Sequence, residues 1–249
     1  MQLLTVYPPI TTFKSKGRYV KHRSAGWRSI WQKKFSLEEP VDAHVRDGFD
    51  TLTKADWQRL ARYFINMLDI SEEDDVAEIG CGGGAFLKLV ARCRTISGVD
   101  YSENAIRLIS TRLKGDFRVA EASSLPFDDN SFDLVLSWSV FFYFDSLDYA
   151  KKVLEEMLRV MRPGGRIFIG DVNDEEKREL AGALRQKSSS SRKRAYISKQ
   201  DVDHLFYSKN FFKEFAKVHG LKIIFYDEDI EELAFYESSR YRYSLVMKA

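Results

Sequence analysis

Cysteine is scarce, with Cys81 and Cys93 the two thiols in 249 residues. They supply no disulfide framework and no metal-ligand spacing, which fits a reducing cytoplasmic compartment and a chain without a metal. Histidine is nearly as rare: His22, His44, His204 and His219. Charge of one sign is missing too, since 39 basic and 37 acidic residues leave a net +2. Such a balance offers no overall field to draw the chain to nucleic acid. No apolar run approaches the roughly 20 residues needed to span a bilayer, and Met-Gln-Leu-Leu-Thr-Val-Tyr-Pro-Pro has no basic region leading into an apolar stretch, so no signal peptide is expected. There is no internal repeat. What remains is ordinary for a globular protein, 44% hydrophobic and 31% charged, and long enough for one large or two small domains. The expectation is a cytoplasmic protein with no membrane or nucleic-acid partner, a monomer or homodimer.

What is present is concentrated between Asp75 and Asp100. Val76 to Ile79 is too short for a helix and is bounded by acids and glycines, so it reads as a buried strand. Four glycines in the five residues Gly80 to Gly84 follow. Ala85 to Ala91 then has apolar residues at helical spacing, and Thr95 to Asp100 reads as a second strand ending in an acid. Glycines let the backbone approach a ligand, a helix start adds free N–H groups, and Asp100 is placed to accept from ribose hydroxyls. Gly80-Cys-Gly-Gly-Gly-Ala85 also satisfies the dinucleotide pattern of nicotinamide and flavin enzymes. Glu78 separates the readings, because an acid just ahead of the loop repels a pyrophosphate and suits a ligand with a cationic aminoacyl end.

Glu78, Gly80, Gly82 and Gly84 form an E-x-G-x-G-x-G pattern that resembles the first motif of class I S-adenosylmethionine-dependent methyltransferases. A second resemblance lies in Glu121-Ala-Ser-Ser-Leu-Pro-Phe followed by Ser131-Phe-Asp133-Leu-Val-Leu-Ser137. A third is an amphipathic helix from Tyr149 to Met161, then Arg162-Pro-Gly-Gly165 and the strand Arg166 to Gly170. The resemblance covers roughly Thr53 to Ala249. It implies an α/β, Rossmann-like doubly wound seven-stranded sheet, mostly parallel with an antiparallel last strand, and S-adenosyl-L-methionine as cofactor. The cofactor set it implies is Glu78, Gly80, Cys81, Gly82, Gly84, Asp100, Tyr101, Glu121, Ala122 and Ser137. Glu121 would accept from the adenine amino group and the Ala122 N–H would donate to the ring. The competing readings are an NAD(P)-dependent oxidoreductase and a non-catalytic binding module on the same fold.

Around this frame, Thr51 or Thr53 could cap a helix running to Asp69, Ser102 a helix to about Leu113, and Ser208 a helix stopped by Gly220. Phe117 to Ala120, Leu221 to Tyr226 and Tyr241 to Met247 read as strands. In the last of these Arg242, Ser244 and Lys248 alternate with apolar residues. Residues 1–50 form a separate basic and aromatic arm or lid, with Lys14 to Lys34 carrying Tyr19, Trp27 and Trp31. Residues 51–249 form the main domain, with a substrate-covering insertion at about 174–207. Its Arg185-Gln-Lys-Ser-Ser-Ser-Ser-Arg-Lys-Arg194 stretch reads as loop, and its cations would suit an anionic acceptor.

For chemistry, a base matters if the acceptor is a hydroxyl or a protonated amine. Many relatives place histidines about where Phe141 and Phe142 stand here. The candidates left are His204, where the insertion returns to the body, and Tyr143 after the fourth strand. Weak similarity to surface-polysaccharide and natural-product methyltransferases points to a small polar, possibly anionic acceptor, with O-methylation of a sugar, nucleotide-sugar or natural product preferred.

Overall fold

A computed structural model describes residues 23–36, 42–90, 92–191 and 204–249. The basic residues from Lys14 to Lys21 and His22 lie outside these, as do Arg192 to Arg194. Among the described residues no helix is long and apolar enough to cross a membrane.

The elements run α1 (Arg23–Phe35), α2 (Ala43–Arg46), α3 (Lys54–Leu68), β1 (Asp75–Ile79), α4 (Leu87–Val90), β2 (Thr95–Asp100), α5 (Glu103–Arg112), β3 (Asp116–Val119), β4 (Phe132–Trp138), α6 (Leu147–Val160), β5 (Met161–Asn173), α7 (Arg178–Ser191), α8 (Lys209–Val218), β6 (Lys222–Asp227) and β7 (Arg242–Lys248). The strands form one sheet in the order β3-β2-β1-β4-β5-β7-β6. β1 to β5 pair in parallel. β7 enters antiparallel between β5 and β6, as expected of the last strand.

Strand alternation divides the interior in two. Ala77 and Ile79 of β1, with Ile167 and Ile169 of β5, pack against Val153, Leu154 and Met157 of α6 and Phe212 of α8. Val76 and Phe168 face the other way, onto Leu60, Phe64 and Leu68 of α3 and Ile106 and Ile109 of α5. The caps fall where the hydroxyl residues stand: Thr53, Ser102 and Ser208 each accept from the backbone N–H three residues on. Asp69 closes α3 in the left-handed region.

Three local expectations change. The helix after the glycine loop is one turn, Leu87–Val90, because Gly84 and Ala85 are still part of the loop. The stretch read as loop from Arg185 is the second half of α7 as far as Ser191. Ala181 and Leu184 bury against Phe206 and Tyr241, and that packing outweighs the weak propensity of the serines. In β7, Arg242 and Ser244 are as buried as their apolar neighbours, since buried acids meet them on that face.

Candidate active site

The cleft opens at the carboxyl ends of β1, β2 and β4. The N–H groups of Gly80 and Cys81 both donate to the Val99 carbonyl of β2, at 2.8 and 3.0 Å, which pins the loop to the strand ends. Gly80, Gly82 and Gly84 have φ of 79°, 50° and 79°, a region in which a side chain is strained. Crowding adds to this. A Cβ at Gly80 would sit 2.6 Å from Val140, and one at Gly82 2.9 Å from an Asp47 carboxylate oxygen.

Three carboxylates converge on this loop. Asp100 accepts from the Gly82 and Ser102 N–H groups at 3.1 and 2.9 Å. Asp47, just past α2, accepts from the Gly83 and Ala85 N–H groups at 2.7 and 2.9 Å. Glu78 is 3% exposed, and its Oε2 has no hydrogen-bond partner. Burial pushes Asp47 and Asp100 up to about 6, against the pull of the loop amides. Glu78 is driven well above its usual range by burial and by the neighbouring charges of Asp47 and Asp100. Such exposure as Asp47 and Asp100 keep is toward the cleft they line.

The cleft encloses about 1180 Å³, counting the open space at its mouth. Rings dominate its walls: Trp31, Phe35, Phe49, Trp57, Phe86 and Trp138. α1 forms the cover. Trp27 packs edge-on to Tyr143 at 4.7 Å and stacks on His204 at 4.8 Å, and Trp31 meets Tyr143 at 5.4 Å. Arg28 donates to both oxygens of Glu121 at 2.6 and 2.7 Å while its guanidinium lies 4.7 Å over the Tyr101 ring. Tyr149 OH donates to the same carboxylate at 3.2 Å. Both members of the Arg28–Glu121 pair are more than a third exposed, so the pair is worth about 1 kcal/mol or less. Arg28→Ala is therefore expected to loosen the cover without unfolding the chain, speeding release of S-adenosylhomocysteine about threefold to fivefold in stopped-flow fluorescence. An unchanged release rate would show that α1 does not close the site.

Of the residues expected at the site, Glu78, Gly80, Cys81, Gly82, Asp100, Tyr101, Glu121, Ala122 and Tyr143 line the cleft. Three stand elsewhere. Ser137 of β4 is fully buried, and its hydroxyl is taken up by the Ile79 carbonyl of β1, to which it donates at 2.9 Å. Gly84 faces α5, where a Cβ would meet Ile109 at 2.6 Å, so it serves loop packing. His204 is one layer back, behind Trp27 and Tyr143. Burial, with Arg185 and Arg242 nearby, holds its pKa well below the usual histidine range. Phe141 and Phe142 are buried, as their apolar character requires. Sequence reading missed Asp47, which lies outside every motif, and Ser139, which follows β4 directly.

The donor set can be tested against a ligand. A buried carboxylate without a partner, beside two more whose ionisation is opposed, calls for positive charge and hydrogen-bond donors. A sulfonium with a cationic aminoacyl end and a ribose meets that demand, whereas a pyrophosphate does not. Fold and site together resemble those of class I, Rossmann-like S-adenosylmethionine-dependent methyltransferases.

Residues 77–169 match the family described as "Methyltransferase domain". The chain is 31% identical over 134 residues to Methyltransferase GfsG of Streptomyces halstedii, a match covering 50% of this chain and 47% of that protein. It is 37% identical over 99 residues to a demethylmenaquinone methyltransferase of Clavibacter sepedonicus, covering 38% of this chain and 39% of that one. The matched part thus spans less than half the length of these relatives. Among solved structures, phosphoethanolamine N-methyltransferase 1 of Haemonchus contortus, in complex with phosphoethanolamine and S-adenosylhomocysteine, superposes with a TM-score of 0.64 at 17% identity. That match covers 91% of this chain and 48% of the other, and the likeness is one of fold.

Proposed function

We propose that this chain transfers a methyl group from S-adenosylmethionine to a hydroxyl or similar nucleophile on an apolar, ring-bearing small molecule. The observation that carries the acceptor class is the cleft wall, built of aromatic rings with three carboxylates at its base. Rings favour a flat apolar partner, and the carboxylates oppose an anionic one. Of the cations expected to attract an anion, Arg185 lies over the Phe206 ring, and Arg28, in the cleft wall, is paired with Glu121. The demethylmenaquinone relative, by its name, acts on a quinone precursor, which is in keeping with this class.

Bound in this cleft, the donor supplies a methyl group already activated on a sulfonium. Glu78 and Asp47 would hold the aminoacyl end, Asp100 the ribose, and Glu121 with Ala122 the adenine. Trp27, Trp31 and Tyr143 keep water from the acceptor end. Burial raises Tyr143 well above the usual phenol range, so it stays protonated at neutral pH and offers an O–H for positioning. The half-buried, neutral His204 supports Trp27 from behind.

Methylation of a panel of phenols, naphthols and quinols, followed by mass spectrometry alongside sugars and bulk tRNA, tests the reading. Turnover of ring hydroxyls supports it. Methylation of tRNA or sugar alone would overturn it.

The carboxylates also set a pH dependence. The pKa values of Asp47 and Asp100 are raised to about 6, above their unfolded level near 4. Between about pH 4 and 6 these two groups therefore bind more protons in the folded, ligand-free chain than in the unfolded one, so their contribution to stability falls as pH rises through that window. A cationic donor is held more tightly as the same groups ionise. The thermal shift produced by S-adenosylmethionine should grow from about pH 5 to about pH 7 and then level off. A shift that is flat or shrinking over that range would remove the carboxylates from donor binding.

A further inference from the structure

The acceptor end of the cleft has a hydrogen-bond polarity fixed from behind. Ser139 follows β4 and lines the cleft. Beside it, Asp171 of β5 is fully buried. Both have φ in the left-handed region, 61° and 63°, and neither is glycine. Conformations of this kind persist only when the surroundings over-determine them, and here the residue after β4 and one inside the adjacent β5, where its register with β7 shifts, are held so at once. The Ser139 N–H donates to the Gly170 carbonyl at 3.1 Å, and the Ser139 hydroxyl donates to Asp171 Oδ2 at 2.6 Å.

Asp171 is held in place by donors. Tyr236 OH reaches both of its oxygens at 3.1 Å, and the buried Arg242 guanidinium forms an ion pair with it. An ionised carboxylate only accepts, so the proton shared between Ser139 and Asp171 belongs to the serine. A hydroxyl carries one proton and two lone pairs. With that proton committed to Asp171, Ser139 Oγ has only lone pairs left for the cleft.

We infer that Ser139 selects the methyl acceptor by accepting a hydrogen bond from it, so that the bound molecule presents a hydroxyl or an N–H at this point. An ether or a carboxylate there meets lone pair with lone pair and is rejected. This rests on the ring-bearing acceptor proposed above.

A matched pair of probes tests the inference. 1-Naphthol and 1-methoxynaphthalene share one ring system and differ in whether the oxygen can donate. With S-adenosylhomocysteine present, calorimetry should show the naphthol binding about tenfold tighter than the ether. Ser139→Ala and Ser139→Gly should each bring the two affinities to within about twofold. Glycine adopts the left-handed backbone freely, so the second variant folds even if the first does not, and thermal melts verify this. The inference is overturned if the wild-type chain binds ether and naphthol equally, or if the preference survives in both variants. Binding of neither probe, with S-adenosylhomocysteine still bound, removes the ring-bearing acceptor and the role of Ser139 together.

Discussion

Valine at position 82 should reduce S-adenosylhomocysteine affinity by about a hundredfold or more, measured by calorimetry. Gly82 sits at φ 50°, and its Cβ would stand 2.9 Å from an Asp47 oxygen. Holding a β-branched residue in the left-handed region costs about 1–3 kcal/mol. Moving Asp47 aside strains or breaks its two hydrogen bonds from the Gly83 and Ala85 amides, each worth about 1.5–3 kcal/mol when the acceptor is charged. Part of that cost will appear as lower stability, and the rest falls on the binding loop, where every 1.4 kcal/mol is about tenfold in affinity. Gly164, at φ 79° with open space around its Cβ, is the control: Gly164→Ala carries the backbone strain without touching the cleft. If Gly82→Val binds as tightly as the parent chain, the loop does not grip the donor.

Asp171→Ala should be the most destabilising single change outside the hydrophobic core. It leaves the Arg242 guanidinium, 6% exposed, without its carboxylate. Uncompensated burial of this kind costs about 3–5 kcal/mol, or roughly 10 °C in melting temperature for a chain of this size. Glu228 sits against the same site, sharing Ser244 and the Asp171 N–H. Burial and the charge of Asp171 push Glu228 up to about 8. The double variant Asp171→Leu with Arg242→Met should recover a good part of the loss, since replacing both members of a buried pair with apolar residues removes the orphaned charge. A drop of less than about 1 kcal/mol in Asp171→Ala would mean that the pair is not structural.

The two variants also mark where sequence reading succeeds and where it stops. Gly82 was legible because its role is local: a glycine in a tight turn after a short apolar run carries its own conformational reason. The same holds for the caps Thr53, Ser102 and Ser208, which act on amides three residues away. Asp171 and Arg242 were not legible. They stand 71 residues apart, and in β7 Arg242 sits in an alternating pattern that reads as one solvated face. Only the sheet order brings β7 beside β5 and turns that face onto buried acids. Ser137 and His204 failed for a related reason. Their neighbourhood in the chain was identified, but a side chain's direction depends on which element packs over it.

By itself the sequence determined the strand-glycine-strand unit, the mostly parallel sheet with its antiparallel last strand, and the acids Glu78 and Asp100 around the glycine loop that favour a cationic donor. The unit and the acids follow from periodicity, backbone freedom and charge within a few dozen residues, and the sheet topology from the resemblance of three motifs to class I methyltransferases. Tertiary structure alone decided that Asp47 joins the glycine loop from 36 residues away. It likewise decided that α1 closes over the cleft through Arg28 and Glu121, 93 residues apart, and that Ser139 has its proton taken from behind. Contacts at that range depend on how the layers stack, and stacking is a property of the whole fold that no single stretch of the chain encodes.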